Sequence, residues 1–193
     1  MWSSEQASPG DLAAVTQQMN RVWPGIEPMQ VPGPGIDAAF EGAVQVYGGR
    51  ERAPRGQFAY FTKGAHAYVN AGSDPLEFIA IAAREAPAAS AMLQSVAFAQ
   101  WTLERGAQLG RISDFGEPWV PGSNLDHLYF SLPYILPTDM WHVTGTASAH
   151  WCWVVPISRR EATYGREHGT EALEVALESA AAPIGAMSRA SVV

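Results

Sequence analysis

Cysteine occurs once in this chain, at Cys152, and lysine once, at Lys63. A single thiol closes no disulfide within the chain, so stability must come from a packed core, as suits a reducing, cytoplasmic setting. Positive charge is sparse and dispersed: the densest group, Arg50, Arg52 and Arg55, is interrupted by Glu51 and reads as a solvated loop. With a net charge of −7, the chain lacks the basic stripe that a phosphate backbone requires, so no nucleic-acid partner is expected. The opening MWSSEQASPG has neither a basic nor an apolar region of the kind a signal peptide carries. Residues 140–158 hold no Asp, Glu, Lys or Arg, but their middle, HVTGTASAH, is too polar for a membrane span, and no membrane partner is expected.

Motifs of catalysis are missing too. Five histidines, His66, His127, His142, His150 and His168, occur without any C-x-x-C, H-x-H or H-E-x-x-H spacing. His142 and His150 can face each other across a strand–turn–strand, with Cys152 on the face of His150. A zinc site needs three or four convergent ligands, and packed strand histidines are the simpler reading. Cys152 lies between Trp151 and Trp153, where a thiolate is poorly solvated, so it reads as a structural thiol rather than a nucleophile. Ser123 lacks a G-x-S-x-G frame, and neither Gly48-Gly49 nor Gly33-Pro34-Gly35 forms a phosphate loop. Glu171, Glu174 and Glu178 recur at helical spacing and read as a solvated face. We therefore assign no catalytic residue, no metal ligand and no cofactor from the sequence.

What is present is a hydrophobic fraction of 47% against 16% charged residues, enough for a real core. Leu12, Val15, Met19 and Val22 recur at helical spacing in DLAAVTQQMNRVW, which Pro24-Gly25 stops. The Pro/Gly-rich stretch 24–36 reads as a linker, making residues 1–34 an N-terminal helical arm. Strands are expected over 43–47, 57–62, 76–83 and 126–132, with a hairpin of 140–145 and 149–155. A helix is expected over 87–105, where Met92, Val96, Ala99 and Leu103 share one face. Ser158 and Glu161 form an S-x-x-E capping box that opens a helix over 159–180, broken near Gly169. The small, polar end from 183 to 193 reads as a disordered tail. The order helix, strands, helix, strands, helix implies an α+β domain with a mixed, largely antiparallel sheet.

Aromatic residues crowd the second half: Trp119, Tyr129, Tyr134, Trp141, Trp151 and Trp153. Those in strands suit a core. Trp119 and Tyr134 sit beside prolines in loops, where aromatics can line a peptide-binding groove.

Four stretches, GQFAYFTKGAHAY, PLEFIAIAA, FGEPWVPGSNLDHLYFSLPY and HWCWVVPISRREATYGREHGTEALE, resemble the suppressor of fused (SUFU) family over roughly residues 35–180. The resemblance implies a SUFU-like domain over 35–182, of the stand-alone bacterial type, with helices packed on a mixed sheet. It implies a protein-binding domain and not an enzyme. Animal members bind a transcription-factor peptide as an added strand, and bacterial members are regarded as immunity proteins of polymorphic toxin systems. The partner expected here is accordingly a protein, such as a toxin encoded nearby. Animal members carry an acidic residue after a glycine in the loop following the long helix. Arg111 stands at the matching position, in Leu109-Gly110-Arg111-Ile112, so the animal peptide specificity does not carry over. Candidate binding residues are Trp119, Tyr134, Trp141 and Arg111. Two other readings stand beside this one: a small-molecule-binding or enzymatic domain using the His/aromatic cluster at 119–152, and a structural subunit of a complex.

Overall fold

The computed structural model describes residues 9–29, 31, 43–50, 57–69, 74–103, 106–134, 136–145, 149–180, 184 and 186–193. Helix α1 spans Pro9–Val22, and strands β1 (Glu27–Pro28), β2 (Gln45–Arg50), β3 (Phe58–Lys63) and β4 (Leu76–Ala82) follow. Helix α2 is Pro87–Thr102, succeeded by β5 (Ile112–Asp114), β6 (His127–Ser131) and β7 (His150–Ile157). Helices α3 (Arg159–His168) and α4 (Thr170–Ser179) close the domain. The strands form one sheet in the order β1-β2-β3-β4-β7-β6-β5. Among the described strands only β4 and β7 pair in parallel, Leu76 opposite His150 and Ile79 opposite Trp153. The fold is α+β with a mostly antiparallel sheet, as expected.

Strand alternation divides the core into two faces. Leu76, Phe78, Ala80 and Ala82 of β4, with Cys152 and Val154 of β7, pack under α2 through Met92, Leu93 and Val96. On the other face Ile79, Ile81 and Trp151 meet α1 through Val15 and Met19. Further along that same face, Tyr129, Trp153, Val155 and Ile157 meet Ala162, Leu173 and Leu177 of α3 and α4. Strands β4 and β7 are buried on both faces, which is why their sequences are near-continuous apolar runs.

Four expectations need correction. Helix α1 is part of the body rather than an arm. Val15 and Met19 are fully buried, and Gln18 donates to the Asp139 and His142 carbonyls while accepting from Thr144 N and Trp151 Nε1. Of the proposed linker 24–36, residues 30 and 32–36 lie outside the described residues. Strand β2 runs through Gly48-Gly49 instead of ending there. A Cβ on Gly49 would stand 3.0 Å from the Gly25 carbonyl and from Ile26 Cα, so the glycine permits a close approach of backbones. The expected hairpin strand 140–145 is reduced to one bridge, His142 with His150. The cause is competition: β6 already pairs with β7 from Ile157 back to Trp153, leaving only the first residues of β7 open on that side.

The fourth correction concerns the C-terminal tail, expected to be disordered. The chain is held from Ser188 onward by Arg189, whose guanidinium, 3% exposed, donates to both oxygens of the fully buried Glu161 at 2.5 and 3.2 Å. Val192 N donates to the same carboxylate, and Ser191 Oγ lies 2.9 Å from Ser158 Oγ. The composition is small and polar, as a frayed tail would be, but one arginine supplies the partner that a buried glutamate requires.

Candidate functional site

The α4 helix exists because Gly169 breaks the preceding helix with a positive φ of 92° and lets the chain restart at Thr170. Leu173 and Leu177 then face the sheet, which turns Glu171, Glu174 and Glu178 toward the chain that leaves β6. Between them lies a groove of about 570 Å³, walled by Leu109, Gly110, Leu132, Tyr134 and Trp141 and floored by Tyr129 and Ser131. Tyr129 Oη and Ser131 Oγ both donate to Glu174 Oε1, at 2.7 and 2.8 Å. Tyr134 stands edge-on against Trp153, centroids 5.3 Å apart, and is 39% exposed. Burial, with Glu174 and Glu178 beyond it, pushes the Tyr134 phenol up to about 12. The Tyr129 phenol is raised further, by burial first and then by its hydrogen bond to Glu174. Both phenols therefore stay neutral donors at any ordinary pH.

The groove brings together two of the four predicted binding residues, Tyr134 and Trp141. Trp119 lies elsewhere, against Phe115 at 5.9 Å and the α2 side of the core. It is partly exposed, as a binding role demands. The indole N–H groups of Trp119 and Trp141 are both buried without an acceptor among the described residues. Arg111 lines a separate cleft of about 480 Å³ with Leu103, Asp114, Phe115, Phe130 and Arg166. Segment 109–112 divides the two openings: Gly110 N and the Arg111 carbonyl pair with Phe130, whose ring faces α2 while Tyr129 and Ser131 face the groove.

The chemical alternatives meet less support. None of the five histidines lines the groove. His142 and His150 do face each other, rings 4.8 Å apart. Among the described residues no three His, Cys, Asp or Glu side chains converge as a metal cage would require. Cys152 is fully buried, and burial raises its thiol far above the ordinary range. No helix among the described residues is long and apolar enough to cross a membrane.

The family model for suppressor of fused protein (SUFU) matches residues 56–190. The chain belongs to the suppressor of fused family. The SUFU fold is also evident in solved structures. A protein of Neisseria gonorrhoeae FA 1090 assigned as a SUFU homologue superposes with a TM-score of 0.78 at 22% identity, over 96% of this chain and 98% of that one. A chain of the Sufu-Fu complex superposes at 0.70 with 14% identity, covering 94% and 92% respectively. Drosophila Suppressor of Fused matches at 0.58 with 11% identity, over 77% of this chain and 42% of its own. A comparison with curated proteins finds no match. In the Sufu-Fu complex this fold serves protein interaction.

Sequence reasoning missed the glutamates of this SUFU domain's groove. Their spacing placed them on one face of a helix, and an exposed acidic face reads as solvated. The available signal was the apolar counter-face, Leu173 and Leu177, which fixes the direction in which the acids point.

Proposed function

We propose that this SUFU domain binds a protein partner in the groove between α4 and the segment 132–141, and that the partner is a bacterial toxin which the chain neutralises as an immunity protein. The proposal assigns binding rather than catalysis to the chain, in the cytoplasm. The observation that carries it is Tyr134: a large aromatic, held by Trp153, exposed at the mouth of a groove that also offers Trp141. Such rigid aromatics are the usual anchors of protein interfaces. Family membership and the partner-bound state of a fold neighbour point the same way. The net charge of −7 suits a basic toxin, since opposite potentials speed encounter.

Co-purification with the product of the adjacent gene tests the reading. Tyr134→Ala and Trp141→Ala should each weaken the complex by about 2 kcal/mol, with Trp119→Ala as the comparison on another surface. If both groove variants stay folded and bind as tightly as the parent, the partner docks elsewhere.

A further inference from the structure

Three carboxylates, Glu171, Glu174 and Glu178, border the groove, and no Lys, Arg or His does so among its described lining residues. Nor does any of the three take part in an ion pair among the described residues. Other carboxylates do find an arginine: Asp139 pairs with Arg21, Asp126 with Arg159 and Glu161 with Arg189. Glu174 spends one oxygen, Oε1, on Tyr129 and Ser131; Oε2 has no such donor among the described residues. The opposite wall is aromatic, Tyr134 and Trp141, with Leu132 beside them. The indole N–H of Trp141 has no acceptor among the described residues. Negative charge on one wall and aromatic side chains on the other form a receptor of definite chemistry. A planar cation can pair with carboxylates along its edge and stack its face on a ring at the same time.

Resting on the protein-binding reading, we infer that the groove seats an arginine side chain presented by an extended segment of the partner. Guanidinium fits better than ammonium because it offers several donors in a fixed plane to more than one carboxylate and remains stackable. Tyr134 and Trp141 supply the stacking wall, while Glu171 and Glu178 at the exposed rim, with Glu174 deeper, supply the charge.

The experiment is a titration of the isotope-labelled full chain with N-acetyl-arginine amide, and separately with N-acetyl-citrulline amide, its neutral isostere. The indole resonance of Trp141, assigned through Trp141→Phe, is the reporter. Saturable shifts confined to groove residues are expected with the arginine probe and none with citrulline. The double variant Glu171→Gln/Glu178→Gln keeps Glu174 and its hydrogen bonds, so it should fold, and should bind the arginine probe about fivefold more weakly. Equal response to both probes, or arginine-dependent shifts mapping away from the groove, would overturn the assignment. If the arginine probe fails while Tyr134→Ala still disrupts the complex with the adjacent gene product, the assignment falls and the docking reading stands. If the probe binds but groove variants leave that complex unchanged, the docking reading falls, and with it the assignment of a partner's arginine as occupant.

Discussion

Glu77 has no solvent contact, and four groups converge on its carboxylate. Thr62 Oγ1 donates to Oε2 at 2.5 Å; Gly64 N and His66 Nδ1 each lie 2.6 Å from Oε1, and His66 N is at 3.4 Å. Burial works against a charged His66, but the hydrogen bond and charge of Glu77, with Asp11 of α1 further off, outweigh it and raise the imidazole above its ordinary value. A raised folded-state pKa means that the folded chain holds this proton more tightly. Its stabilisation is complete below about pH 6.5 and is lost as pH rises through the folded value. The difference in Tm between the parent and His66→Gln should therefore shrink between about pH 6 and pH 9. A constant difference would mean that His66 acts only by shape. Cys152 offers a second residue-level test. Burial keeps its thiol protonated, so iodoacetamide should leave it unmodified at about pH 8 in the folded chain and label it fully in denaturant.

At the level of elements, helix α3 shows how a local signal and a distant one combine. The capping box is complete: Ser158 Oγ accepts from Glu161 N, and Glu161 Oε2 accepts from Ser158 N. A capping glutamate is usually solvated, whereas this one is fully buried under the chain end, with Arg189 across it. Removing one member leaves a buried charge without its partner. Arg189→Met should lower stability by about 3 kcal/mol in urea denaturation at neutral pH. Combining it with Glu161→Gln should cost less than the two separate losses added, because the second change removes the stranded charge. Additive losses would show that the two side chains act independently. Gly169 and the short α4 belong to the same unit, since it is their orientation that turns the three glutamates into the groove.

For the whole molecule, the decisive fact is that the sheet is covered on both faces, by α2 on one and by α1, α3 and α4 on the other. Helix α1 should accordingly unfold with the body and not before it. Trp23, 5% exposed and bonded through Nε1 to the Gly49 carbonyl at 2.9 Å, ties the end of α1 to β2. Trp23→Ala should cost about 3–5 kcal/mol while preserving a single transition by circular dichroism and fluorescence. Two transitions, with helical signal lost first, would restore the picture of a separate arm. The groove opens on the face covered by α1, α3 and α4, between α4 and the chain that leaves β6. Its position thus follows from how far each helix reaches across the sheet.

The sequence by itself determined the local features. Periodicity marked α1, α2 and the strands β2, β3, β4, β6 and β7, though not the short β1 and β5; the S-x-x-E box placed the start of α3 at its observed residue, and Gly169 was legible as the break before α4. These are signals carried by neighbours a few residues apart, where sterics and capping act directly. The apolar setting of Cys152 between tryptophans was legible for the same reason. Tertiary structure alone decided the rest. It chose β6 over 140–145 as the partner of β7, because a strand edge can be occupied only once. It joined α1 to the body through Gln18, whose partners lie more than 100 residues away in the chain. It pinned a tail that composition described as disordered, through one ion pair. It also separated Arg111 and Trp119 from Tyr134 and Trp141, and set three glutamates opposite two aromatics. Residues adjacent in sequence, Phe130 and its neighbours Tyr129 and Ser131, were sent to opposite faces of one sheet, and only the packing of helices on those faces could give each face its opening.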